Sequence, residues 1–249
     1  MQPILTEIGG VSIYAFGFFM AASYLLGMAW TIREAGQRGL NSSLVLEFGF
    51  YVLLGGLIGA RLFYFLLHPQ NIPGDLQGLI RFWDGGLVFL GGALAGVFIL
   101  VFYLKIKRQD ILAWLDSAAP GVALGLVLGW AGCFVAGCAF GSPTNVPWGV
   151  TFTHPDSMAS LYVQVHPTQI YYSLAALTVF ILLMAYKNML TAKGSLAGLF
   201  IILYAFFNFG IDYFRDDHQA LLGFLGFTQL VSLTLALVGL ALMFGRSKR

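Results

Sequence analysis

The run LVLEFGFYVLLGGLIGARLFYFLL, Leu44 to Leu67, decides the fold. Only Glu47 and Arg61 interrupt it with charge. A helix rises about 1.5 Å per residue, so a run of this length exceeds the roughly 30 Å hydrocarbon core of a bilayer. Six further segments repeat the pattern: Val11–Ile32, Gly85–Leu104, Ile111–Ala139, Thr168–Tyr186, Leu196–Tyr213 and Gly223–Phe244. The fourth of the seven is long and carries Pro120 among many glycines, which is compatible with a kink or with a re-entrant or unwound end. The expected fold class is an all-α polytopic membrane protein with seven transmembrane helices. It forms a single seven-span membrane domain over residues 1–249, with outer segments at about 68–84 and 140–167.

Composition excludes the main alternatives. Of 249 residues, 59% are hydrophobic and 10% charged, against about 45–50% and about 25% for a soluble domain. Such a chain cannot cover a soluble surface with charge, and disorder needs the opposite bias. The net charge of +2 and the lack of a Lys/Arg run give no footprint for nucleic acid. Cys133 and Cys138 are too few for a disulfide framework, and their spacing fits neither a CxxC pair nor a zinc site. Packing is the expected use of both. The N-terminus carries no basic residue before its first apolar run, so that run is expected to stay as a span.

The connections between spans differ sharply in charge. Arg33, Arg38, Lys105, Lys107, Arg108, Lys187, Lys193, Arg246, Lys248 and Arg249 fall on one side under seven-span alternation. The other side holds Arg81 and Arg215. Basic loops stay cytoplasmic, which puts the N-terminus outside and the C-terminus in the cytoplasm. Within the outer segment 68–84, Leu76, Leu79, Ile80, Phe82 and Trp83 recur at near-helical spacing. An interfacial helix and an ordinary loop are both compatible with that pattern.

Polar groups at membrane depth are costly and face the protein interior. Glu47 lies near the start of its span and is expected to snorkel. Arg61 sits beside Gly55, Gly56 and Gly59, a face open to close helix approach. Its guanidinium suits a lipid phosphate, or an acid such as Asp116 or Asp212. Tyr204, Asn208, Asp212 and Arg215 recur at three- and four-residue steps, making one polar stripe on an apolar helix. It serves either as a seam between helices or as a site for an anionic headgroup. His154, His166 and Asp156 lack any recognised metal-ligand spacing, and no GxSxG pattern is present.

Several stretches then resemble one family. They are Gly59-Ala60-Arg61-Leu62; the run from Gly85 to Gly92, GGLVFLGG; the run from Gly132 to Gly141, GCFVAGCAFG; PWGV at Pro147–Val150; HPTQIY at His166–Tyr171; and the helix from Tyr204 to Arg215. In this order they resemble the prolipoprotein diacylglyceryl transferases of bacteria over nearly the whole chain. The resemblance implies transfer of the diacylglyceryl group of phosphatidylglycerol to the lipobox cysteine of a prolipoprotein, at the outer face of the inner membrane. It implies phosphatidylglycerol, the prolipoprotein signal peptide and membrane lipid as partners, and no metal or cofactor. It also implies catalytic roles for Tyr204, Asp212 and Arg215, and substrate binding by Arg61, Gly141, His166 and Asn208. Trp130 and Asn208 stand where the family pattern has arginines, Leu90 where it has histidine or tyrosine, and Tyr172 where it has glutamate. These departures leave a non-catalytic binder of phospholipid or lipoprotein precursor as the second reading, with a small transporter behind it. The charge asymmetry has a direct check: a reporter fused after Arg249 should read cytoplasmic, and an extracytoplasmic signal overturns the orientation.

Overall fold

The computed structural model describes residues 3–8, 11–72, 86–218, 220–222 and 225–244. Seven helices dominate: α1 (Ala15–Gln37), α2 (Leu44–Leu67), α3 (Phe89–Ile106), α4 (Ile111–Ala136), α5 (Thr168–Tyr186), α6 (Ser195–Asp212) and α7 (Phe227–Phe244). All seven are long and apolar enough to cross a membrane, and the chain is a multi-pass membrane protein. Short antiparallel pairs punctuate the connections: β1 (Ile4–Ile8) with β2 (Val11–Tyr14), β3 (Val150–Thr151) with β4 (Gln164–Val165), and β5 (Ala220–Leu222) with β6 (Leu225–Gly226). The described residues form two compact units, 35–114 and 1–34 with 115–249.

In the first unit α2 packs along α3 through small residues. A Cβ on Gly59 would come within 2.8 Å of the Gly91 carbonyl, and one on Gly91 within 2.6 Å of the Gly59 carbonyl. Backbone contact of this kind is how helices associate where lipid removes the usual hydrophobic drive. The Val88 N–H donates to the Ala60 carbonyl (3.1 Å) and docks the start of α3. α2 stops at Leu67 because Pro69 disfavours helical backbone at His68, and a single 3-10 turn, Pro69–Asn71, follows. Glu47 accepts hydrogen bonds from Tyr103 and from Lys107 (3.2 Å) at the exposed ends of α2 and α3. That contact is the structural role expected for it.

In the second unit Ala119 and Ala123 of α4, Val179 and Leu183 of α5, and Leu196 and Ala197 of α6 form one buried cluster. Ser23 of α1 donates to the Gly125 carbonyl of α4 (2.6 Å). α4 runs as a helix through Pro120 and stops at Ala136; residues 137–139, inside the expected span, form a turn, the unwound end among the alternatives. Buried Asp116 accepts the Gly194 and Ala197 N–H groups (2.8 and 2.9 Å). It satisfies two of the four donors that a helix start leaves open, at the positive end of the α6 dipole. Lys187 donates to Glu34 (2.8 Å), whose side chain is 2% exposed, tying the end of α1 to the end of α5.

Three span starts move by four residues, each for a local reason. Val11–Tyr14 is rich in β-formers and pairs with Ile4–Ile8, so α1 begins at Ala15. Residues 86–88 are extended, and α3 begins at Phe89. Leu225–Gly226 pairs with β5, so α7 begins at Phe227. The interfacial segment with Leu76, Leu79, Ile80, Phe82 and Trp83 lies outside the described residues. Replacing Asp116 by Ala should lower the melting midpoint in detergent, since a lost helix cap costs about 1 kcal/mol and a stranded buried N–H about 1–3 kcal/mol. An unchanged midpoint would remove Asp116 from the list of structural contacts.

Candidate functional site

α4 ends in a Schellman-type turn. The Gly137 and Cys138 N–H groups both donate to the Cys133 carbonyl (2.8 and 3.1 Å), with Gly137 at φ 80°. The turn sends Phe140–Ser142 across two other segments. The Gly141 N–H donates to the His166 carbonyl (3.0 Å), and the His166 N–H donates to the Ser142 carbonyl (3.1 Å). The Ser142 N–H donates to the Phe214 carbonyl (2.8 Å), and Gly141 pairs with Arg215 in an antiparallel bridge. A Cβ on Gly141 would lie 2.6 Å from both the His166 and Phe214 carbonyl oxygens. Only glycine fits. The HPTQ segment holds the same turn from the α5 side: Thr168 Oγ1 donates to the Ala139 carbonyl and Gln169 Nε2 to the Cys138 carbonyl (both 2.7 Å). Phe152, Ala159 and Val165 form a small buried cluster within the 140–167 connection.

This crossing brings Gly141, His166, Asp212 and Arg215 together. Helix α6 ends at Asp212, and Arg215 follows in a turn, its N–H donating to the Asp212 carbonyl (3.1 Å). The Arg215 guanidinium meets Asp217 bidentately, with Nε donating to Oδ1 (2.7 Å) and Nη2 to Oδ2. Burial opposes charge on Arg215, but the Asp217 carboxylate and the Tyr172 hydroxyl outweigh it and hold the guanidinium above its ordinary pKa. Burial pushes the Asp217 carboxyl up, yet its hydrogen bonds from Arg215 bring it below the usual carboxylate range. The Cys138 thiol is likewise drawn below its ordinary value, first by its hydrogen bond with Cys133 and further by the Arg215 charge, against burial. Arg215 is thus a permanent cation at a half-buried crossing.

The stripe read from the sequence divides here. Asn208 Nδ2 donates to Ser232 Oγ (3.1 Å) and joins α6 to α7 as a polar seam. Asp212 pairs with His218 (2.7 Å) rather than with Arg215. Tyr204 stacks on Phe200 and, with Trp130, Tyr172 and Asn208, lines an interior cavity of about 10 Å³. That volume holds at most one water, so no headgroup enters between these helices. Trp130 stacks on Tyr172, ring centroids 4.1 Å apart and planes within 12°. His166 Nδ1 lies 3.2 Å from the Tyr171 hydroxyl, which also accepts the Trp148 indole N–H (2.8 Å). In its own unit Arg61 is buried. Its Nη1 donates to the Gly86 carbonyl (3.2 Å), and its guanidinium lies 4.7 Å from the Phe65 ring centre.

The family model described as Prolipoprotein diacylglyceryl transferase matches residues 3–245. The chain belongs to this family. It is 30% identical over 240 residues to the phosphatidylglycerol–prolipoprotein diacylglyceryl transferase of Clostridium tetani, covering 96% of each chain. It is 31% identical over 258 residues to the enzyme of that name from Trichormus variabilis, covering 99% of this chain and 91% of the relative. The Finegoldia magna relative of the same name is 29% identical over 250 residues, covering 100% of this chain and 97% of the relative.

Within the family frame, two departures prove to be partners. Trp130 and Tyr172 are rings in one stack. Tyr172, Asp217 and His218 are the site residues that spacing alone does not reveal. Tyr172 lies one residue past the HPTQIY run, and Asp217 and His218 lie beyond the helical stripe. Gly141→Val should disrupt the crossing, lowering the yield of folded protein and its melting midpoint. A variant that folds with wild-type stability would show that the three segments do not need this close approach.

Proposed function

We propose that this chain transfers the diacylglyceryl group of phosphatidylglycerol to the cysteine thiol of a prolipoprotein, the first step of lipoprotein maturation. The observation that carries the reading is Arg215, fixed as a cation by Asp217 and Tyr172 on a crossing built from the family's own motifs. The thiolate attacks the glycerol carbon that bears the phosphate, the C–O bond breaks, and glycerol phosphate leaves with the electron pair. A guanidinium beside the departing phosphate stabilises charge that develops in the transition state, where preorganised donors act most strongly. Arg215 fills that role. Gly141 and His166, on the same crossing, serve substrate binding. The headgroup lies on the loop side of the Trp130–Tyr172 stack, because the interior cavity is too small for it.

Sidedness follows from charge and connectivity. The α4–α5 and α6–α7 connections, which carry Gly141, His166 and Arg215, alternate with the basic ones. The site therefore faces the extracytoplasmic side of the bacterial inner membrane, where lipid enters laterally and the precursor presents its signal peptide. The test uses purified protein in phosphatidylglycerol vesicles with labelled diacylglycerol and a lipobox peptide. Label should move to the peptide as a thioether, and Arg215→Ala should cut the rate by about a hundredfold or more. Lipid-dependent stabilisation with no transfer by the unmutated protein overturns the reading in favour of a non-catalytic binder.

A further inference from the structure

One imidazole at the crossing has no role in the chemistry above. His218 lies six residues past Asp212, and its Nδ1 is 2.7 Å from Asp212 Oδ2. The Asp212 side chain is 3% exposed and that of His218 is 20% exposed. The Arg215 guanidinium, which shares the sequence stripe with Asp212, goes to Asp217. Asp212 is thereby left to orient the ring. A buried carboxylate on Nδ1 selects the tautomer with its proton there and leaves the Nε2 lone pair to accept one. The His218 backbone N–H donates to the Arg215 carbonyl (3.4 Å), tying the residue to the turn that carries the guanidinium. The Tyr213 ring lies against its face, centroids 5.6 Å apart.

The charged groups around the ring favour this use. Asp212 faces it from the end of α6, and Asp217 interacts with it from the turn. Arg215 lies on the same turn and pairs with Asp217. His166, the other imidazole at the crossing, is held differently. Its Nδ1 meets the Tyr171 hydroxyl and its ring packs edge-on to Phe214 at 5.1 Å, with no carboxylate on it among the described residues.

We propose that His218 is the general base for the acceptor thiol and that Asp212 positions it. The inference rests on the transferase reading and supplies the proton acceptor that reading requires. The S–H proton passes to Nε2 and the sulfur pair attacks the glycerol carbon. The C–O bond breaks, and the imidazolium returns its proton as glycerol phosphate departs. Positioned general bases contribute about 10²–10⁴-fold.

The test compares two acceptor peptides that differ only in carrying cysteine or selenocysteine, the latter ionised at neutral pH without help. With the cysteine peptide, His218→Gln should lose about a hundredfold in kcat/KM, and its acid limb should move to follow the free thiol. With the selenocysteine peptide the loss should largely vanish. Asp212→Asn, which keeps the side-chain shape, should give the same acceptor-dependent loss and serves where His218→Gln does not fold. Equal losses with both peptides, or an unchanged pH profile, overturn the base assignment and leave His218 structural. A wild-type protein that transfers to neither peptide overturns the transferase reading itself, and the base assignment with it.

Discussion

The Gly141 N–H meets the His166 carbonyl while its neighbour Ser142 donates to Phe214, and these two hydrogen bonds fix where Arg215 can be. Each backbone bond of this kind contributes only about 0.5–1.5 kcal/mol net. Their force lies in the alternative. Backbone groups near a bilayer have little water to turn to, and leaving them unpaired costs several kcal/mol. Segments around residues 141, 166 and 215 therefore pair with one another. The absence of a side chain at position 141 lets them come close enough, and Thr168 and Gln169 lock the turn from behind.

From that constraint the electrostatics follow. Arg215 is carried on a backbone bridge rather than on the helix itself, so its guanidinium reaches Asp217 and Tyr172 while Asp212 turns to His218. Two adjacent carboxylate contacts result, one on a guanidinium and one on an imidazole. Behind them the Trp130–Tyr172 stack occupies the space beside Tyr204. Arg215, Asp217, Asp212 and His218 are thus gathered at the loop end of α6.

Much of this was legible in the sequence because a membrane imposes a length rule. Leu44–Leu67 emerges with the bounds expected for it, as does Thr168–Tyr186, since about 20 apolar residues have no other stable use. The boundaries that moved do so where short-range chemistry competes with hydropathy. Val11–Tyr14 is apolar enough to extend a span, yet it pairs as a strand. The polar stripe was visible as a spacing, but spacing assumes that the helix continues. It stops at Asp212, so Arg215 leaves the stripe, and Arg215 and Asp212 take partners two and six residues onward. Asn208 fits the stripe geometrically and still faces Ser232, because a helix face does not say which neighbour covers it. The Trp130–Tyr172 stack was out of reach, since each ring occupies a motif position and only coordinates place them together.

The central claim is that this crossing transfers a diacylglyceryl group despite the altered residues around it. The most direct measurement is complementation of a bacterium depleted of its own transferase, with mass spectrometry of a reporter lipoprotein. The account predicts restored growth and a diacylglyceryl thioether on the lipobox cysteine. Protein inserted in the membrane at normal levels, with the reporter cysteine left unmodified, would contradict it.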